Sequence, residues 1–182
     1  MDEPADATND YQVGDKVVYP QHGAGSVVQR ERRTVLGEEA DYLTIRVLAS
    51  DMTVMVRADR ADEAGIRRVI GPAEVETLLG VLRGDDIVIP GNWNRRFKHN
   101  REKMRSGDVL ELAEVIRNLT HRGAGKPLSS GERQMLSRAK HILASELQYA
   151  LDLEEAEALQ YLDDLLEEIA HERQEAAGRA TT

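Results

Sequence analysis

The sequence predicts an α+β protein, a small antiparallel β-barrel followed by an all-α helical bundle. Over residues 11–70, short β-branched runs are broken by turn residues at a regular spacing, which reads as strands. From Gly71 onward the apolar period lengthens from two residues to about 3.6, which reads as helices. A chain of 182 residues with 41% hydrophobic content accommodates two small domains of this kind.

The strands come first. Lys16-Val17-Val18-Tyr19 ends at Pro20, and residues 25–29 follow a Gly23-Ala24-Gly25 turn. Residues 42–48 alternate Leu43, Ile45 and Val47 with Thr44 and Arg46, and residues 52–56 alternate likewise. So few residues cannot cover both faces of an open sheet, which makes closure into a twisted barrel the expected outcome. The charged segment 30–41, with Gly37 inside it, is expected to form an exposed hairpin.

In the second half, Pro72 and Glu74 open a helix carrying Val75, Leu78, Leu79 and Leu82, which ends near Arg83-Gly84. A loop with Pro90 and Gly91 precedes a short helix over residues 95–105, closed by Ser106-Gly107. Three capping-box patterns then follow, Asp108-x-x-Glu111, Ser129-x-x-Glu132 and Asp152-x-x-Glu155. Each opens an apolar stripe: Val109 to Leu119, Met135 to Leu147, and Leu159 to Ile169. The expected organisation is a disordered tail at 1–10, a barrel at 11–71, a bundle of about five helices at 72–172 and a frayed tail at 173–182.

The formal net charge of -9 is unevenly spread. Residues 1–82 carry nine basic and fifteen acidic side chains, residues 83–146 thirteen and eight, and residues 147–182 two and ten. The basic middle peaks between Asn92 and Arg105, with six Arg or Lys against one Glu, and this segment holds Trp93, the single tryptophan. A flat aromatic among cations suits a nucleic-acid surface, where cations meet phosphates and the ring presses against bases. The alternative is that Trp93 anchors a helix start in the core.

Other chemistry is missing. The chain has no cysteine, which removes disulfides, thiolate catalysis and cysteine-held metal. The histidines at 22, 99, 121, 141 and 171 form no pair that would place two ligands on one helical face. Gly123-Ala124-Gly125-Lys126 is not a phosphate loop, because Thr120 stands at the first glycine and Pro127 at the magnesium-binding hydroxyl. His22-Gly23-Ala24-Gly25 lacks the third glycine of a dinucleotide fingerprint and falls between strands. No signal-peptide core or membrane-length apolar run occurs, so a cytoplasmic, non-enzymatic protein without cofactor or membrane association is expected.

Val13-Gly14-Asp15-x-Val17-Val18-Tyr19-Pro20-x-His22-Gly23, followed by Tyr42-Leu43, resembles the RNA-polymerase-interacting domain of CarD-like transcription regulators. It is similar as well to part of the transcription-repair coupling factor. Asn92-Trp93-x-Arg95-Arg96-Phe97-Lys98-x-Asn100 with Ser106-Gly107-Asp108, then Leu128-Ser129-x-Gly131-Glu132, looks like the CarD helical domain, which the repair helicase lacks. The resemblance extends over residues 13–169.

It implies a Tudor-like barrel that docks as a monomer on the RNA polymerase β subunit, and a helical domain that approaches promoter DNA at the upstream fork of the bubble. Trp93 stands at the family's wedge position, and Arg95, Arg96, Lys98 and Arg133 are the implied phosphate contacts, each otherwise a solvated surface cation. On the hairpin, Arg33 and Val35 match polymerase-binding positions. Met55 replaces a basic residue of some relatives, so docking would lean on Val35, Met55 and the neighbouring Arg46 or Arg57, unless Met55 packs inside the barrel. A rival expectation is a repair-coupling accessory whose helical part binds another protein.

Overall fold

The computed structural model describes residues 10–180. Of the tail expected over residues 1–10, residues 1–9 lie outside them. Five antiparallel strands come first: β1 (Lys16–Tyr19), β2 (Gly23–Val35), β3 (Glu38–Val47), β4 (Thr53–Arg57) and β5 (Arg67–Arg68), in the spatial order β4-β3-β2-β1-β5. The two-residue β5 has no sequence pattern of its own and exists only through its ladder with Val17 and Val18. The charged hairpin extends both long strands up to a two-residue turn at Leu36-Gly37, where Val35 faces Glu38. Leu36 and Gly37 have φ of 53° and 85°, the pair of positive values that matches the right-handed twist of a hairpin.

Curvature has an identifiable source. A bulge between Val27 and Gln29 breaks the β2–β3 register, adding twist so that one face of the ribbon wraps over a core of Tyr11, Val17, Val27, Leu43, Ile45, Val47, Ala61 and Ile66. Tyr11 pins the chain's entry, since its hydroxyl donates to Ile66 O at 3.0 Å. Burial, joined by the Asp62 carboxylate, pushes that phenol up to about 12.

Five helices follow: α1 (Pro72–Arg83), α2 (Trp93–Ser106), α3 (Val109–Gly125), α4 (Ser130–Leu151) and α5 (Glu155–Ala180). Their shared core includes Leu78, Leu82, Ile116, Leu119, Leu143, Leu147 and Leu162, all within 1% of full burial. The described residues divide into two compact units between Val69 and Ile70. Ile70 is already tied to the helices, because its N–H donates to Glu146 Oε1 at 3.0 Å.

Two sequence expectations change at the helix ends. Asp152 does not open α5; it closes α4 in the left-handed conformation, φ 54°, with its N–H donating to Gln148 O. The cap of α5 lies two residues later, where Glu154 N donates to Glu157 Oε2 at 2.9 Å. Short polar side chains tolerate the left-handed region, which lets one aspartate end a helix where a capping box seemed to start one. Likewise α5 continues past Glu172 to Ala180 instead of fraying from residue 173. The large apolar residues run out there, but Arg173 reaches back to Gly84 O at 2.7 Å and alanines sustain the helix.

Gly25 faces Val47 across the ladder, and a Cβ added there would lie 2.3 Å from Arg46 O. Gly25→Ala is therefore expected to destabilise the β unit by about 2–3 kcal/mol through a clash with backbone that cannot rotate away. Urea unfolding followed by strand-specific amide exchange should show that loss, with the helical unit's exchange unchanged.

Candidate functional site

The basic segment forms α2, and its two faces differ in role. Phe97 and Met104 pack against the helical core and Arg96 and Asn100 are buried, whereas Arg95, Lys98, Arg101 and Arg105 are exposed. Asn92 caps the helix start by accepting from Arg95 N at 3.3 Å. That places Trp93 at the first helical position, with 44% of its surface exposed and outside the buried core. The ring stacks on Phe97 at 5.1 Å between centroids and 20° between planes, and its Nε1 donates to Ser129 Oγ at 3.1 Å. One edge of the indole is thus anchored while much of its surface meets solvent.

Ser129 is also the N-cap of α4. Its hydroxyl accepts from Glu132 N at 3.2 Å, and Glu132 Oε2 accepts from Ser129 N at 3.0 Å, which completes the reciprocal box expected from the sequence. The starts of α2 and α4 therefore meet at Ser129. Both helix dipoles present their positive ends there, beside the exposed Arg95 and Arg133, an arrangement suited to an anion. Arg133 donates to Leu128 O at 2.5 Å, so it is held against the same turn.

Glu132 is the residue whose importance the sequence reading missed. Its side chain is 1% exposed, and its Oε1 accepts from Arg96 Nε at 2.7 Å and from Arg122 Nε at 3.1 Å. Burial alone would raise this carboxyl, but the Ser129 N–H, the two guanidinium groups and the Ser129 hydroxyl together outweigh it and hold the group at about 2. Arg96, expected as a phosphate contact, is 5% exposed and also donates to Pro90 O at 2.9 Å. Its guanidinium points into the fold, which corrects that assignment. The spacing of 36 residues between Arg96 and Glu132 leaves no local signal for the pair. Of the other cations, Lys98 stands 3.8 Å from Glu102, and Arg95 makes no ion pair among the described residues.

Gly131 allows Phe97 to approach α4, since an added Cβ would sit 3.2 Å from its ring. Trp93, Phe97 and the first turn of α4 consequently form one stack.

In the β unit, the five expected polymerase contacts fall on one face. Arg33 pairs with Ala40 and Val35 with Glu38 across β2–β3, while Met55 pairs with Thr44, Arg57 with Tyr42 and Thr53 with Arg46 across β3–β4. Directly opposed residues point to the same side of a sheet and residues two apart share that side. Arg33, Val35, Arg46, Met55 and Arg57 hence share the side opposite Leu43 and Ile45, which fill the core. Val35 and Met55 are 42% and 45% exposed, so Met55 is not a core residue. Each arginine already has an acidic neighbour: Glu31 for Arg33 at 2.5 Å, Asp51 for Arg46 at 2.7 Å, and Glu38 and Asp59 for Arg57 at 2.9 and 2.8 Å. Such exposed pairs are weak, about 1 kcal/mol or less, and exchange readily for a partner's carboxylate. Among the described residues no group of His, Asp or Glu is placed to hold a metal, and no helix is long and apolar enough to cross a membrane.

Comparison with known proteins matches residues 11–70 to the CarD-like/TRCF RID domain and residues 77–163 to the CarD C-terminal domain. The chain is 34% identical over 140 residues to the putative transcription factor YdeB of Bacillus subtilis, covering 76% of this chain and 90% of that protein. It is also similar to the solution structure of the 72-residue N-terminal domain of Myxococcus xanthus CarD, at 30% identity, 32% coverage of this chain, 79% of that one and a TM-score of 0.29.

Glu132→Gln leaves two guanidinium groups facing a neutral amide in a buried site, and should destabilise the helical unit by about 3–5 kcal/mol. Because the folded-state carboxyl is depressed from 4.5 to about 2, its stabilisation is complete above about 4.5 and is lost as pH falls toward 2. Thermal melts between pH 2 and 7 should show that decline in the parent chain and a flatter profile in the variant.

Proposed function

The chain belongs to the CarD family of transcription-associated, RNA-polymerase-interacting regulators, and on that premise we propose that it stabilises the promoter open complex by wedging Trp93 at the upstream edge of the bubble. The observation that carries this reading is the half-exposed indole held by Ser129 and Phe97 between two helix starts. An apolar wedge costs a few kcal/mol of unstacking in intact duplex, and least where stacking is already broken. It therefore favours melted over closed DNA and shifts a population without covalent chemistry. Arg95, Lys98 and Arg133 serve the flanking phosphates, while Arg96 holds α2 against α4.

Polymerase docking falls to the outer face of β2, β3 and β4. Along that face Val35 stands at the hairpin tip and Met55 towards the other end, both supplying apolar area, with Arg33 and Arg57 between them and Arg46 beyond Met55 as cations able to meet acidic side chains of the β subunit. Placing docking and wedging on different units lets the polymerase supply effective concentration to a DNA contact that is weak on its own. A chain of net charge -9 needs that help.

Trp93→Ala should keep polymerase binding and shorten open-complex lifetime to nearly that of polymerase alone, with Trp93→Phe intermediate. The substitution removes one hydrogen bond and one ring stack from a partly exposed site, so the helical unit should lose no more than about 2 kcal/mol. Promoter-complex lifetimes and thermal melts on the same variant test this; a normal lifetime in a folded variant refutes the wedge.

Arg33→Glu reverses an exposed charge without entering the core and should weaken association with the β subunit at least several-fold at low salt. Titration by surface plasmon resonance measures it. Unchanged affinity would exclude this face of the hairpin from docking.

A further inference from the structure

The turn that joins β2 to β3 breaks two local rules at one residue. Leu36 occupies its first position at φ 53°, and Gly37 its second at φ 85°. A hairpin turn with two positive φ values favours Asn or Asp before the glycine, because a Cβ there crowds the neighbouring backbone and a short polar side chain offsets this with local hydrogen bonds. Leucine has no such group. Among the described residues, the other non-glycine residues at positive φ are Gln21, Asp51 and Asp152, all polar. Leu36 is also 101% exposed, more than any other large apolar residue described, the next being Val88 at 74%. An exposed leucine alone would be ordinary. One held fully in water by a backbone conformation that disfavours it is an outlier on both counts, and such outliers concentrate at binding and switch sites.

The surroundings point to a protein partner. Residues 34–37, Thr-Val-Leu-Gly, carry no charge, whereas Arg32 and Arg33 precede them and Glu38 and Glu39 follow. Val35 is itself 42% exposed, so two exposed apolar residues adjoin along the chain inside a charged rim, the composition of the centre of a protein–protein interface. The ladder runs unbroken to the turn, pairing Arg33 with Ala40, Thr34 with Glu39 and Val35 with Glu38. Leu36 therefore projects from a ribbon whose backbone is already ordered, and a contact made there loses little entropy. Through Val35 the tip is continuous with the outer face of β2, β3 and β4.

We propose that Leu36 is the apolar anchor of polymerase docking, inserting into an apolar recess of the β subunit while Arg33 meets acidic groups beside it. This rests on the docking role of the outer β face proposed above and carries it past Val35 to the turn. Burial of the leucine in the complex supplies a part of the affinity that salt does not screen, which the exposed, exchangeable ion pairs of the arginines cannot supply.

The test compares Leu36→Asn, Leu36→Met and Arg33→Glu in the full chain, titrated over immobilised cognate RNA polymerase at low and at high salt. Leu36→Asn suits the positive φ and removes the apolar side chain. It should melt at or above the parent temperature yet bind about tenfold more weakly at both salt concentrations. Leu36→Met keeps the apolar reach and should stay within about threefold of the parent. Arg33→Glu should lose affinity mainly at low salt. Parent-like binding by Leu36→Asn beside a weakened Arg33→Glu would remove the anchor and leave the docking face standing. Parent-like binding by both would remove the docking face and the anchor with it. A Leu36→Asn deficit that vanishes at high salt would also overturn the proposal. So would a self-associating parent chain whose dimer Leu36→Asn dissociates, since the tip would then serve a second copy.

Discussion

Glu132 is the point on which the helical unit's arrangement depends. A carboxylate removed from water is tolerated only when its lone pairs are fully engaged, and here the Ser129 N–H, Arg96 and Arg122 all converge on it. Each partner comes from a different stretch of chain: the loop before α4, the first turn of α2 and the end of α3. One acid therefore fixes three segments at once. Because the same Ser129 accepts from Trp93 Nε1, the position of the exposed indole is set by a buried ionic cluster one residue deeper. The cluster keeps Glu132 and Arg96 out of solvent and leaves Arg122 partly exposed at its edge.

That arrangement separates cations by task. Arg96 and Arg122 neutralise an interior charge, while Arg95, Lys98 and Arg133 remain at the surface. An interior arginine is fully committed and cannot be shared with a phosphate without exposing Glu132 to an uncompensated state. Surface arginines paired only with exposed acids remain exchangeable, and the same holds on the β unit for Arg33, Arg46 and Arg57. Under the proposed function, in which the chain meets both polymerase and DNA through such surfaces, selectivity comes from geometry and from tethering more than from strong individual contacts.

Strand and helix positions were legible because they rest on local chemistry. The period-two run of Leu43, Ile45 and Val47, the Pro72 and Glu74 start, and the Asp108 and Ser129 caps all act within a few residues, and the structure places elements where those patterns point. Asp152 was misread because an aspartate serves a helix start and a left-handed stop equally well, and only the packing of α4 against α5 selects the second. The short β5 was invisible since two residues carry no period.

For the candidate site, the sequence by itself determined which residue types are concentrated together: one tryptophan among six cations, a capping box at Ser129, and a charged hairpin with Gly37 at its tip. It also determined the face shared by Arg33 and Val35, since alternation along a strand is a property of the chain alone. Tertiary structure decided the rest. It buried Arg96 and left Arg95 exposed, although the two are neighbours in sequence, because α2 turns one side toward Glu132. It brought Met55 into the plane of Val35 through two ladders, and set Trp93 against Ser129 across 36 residues. Burial and long-range pairing depend on which surfaces meet, and that information exists only once the chain has folded.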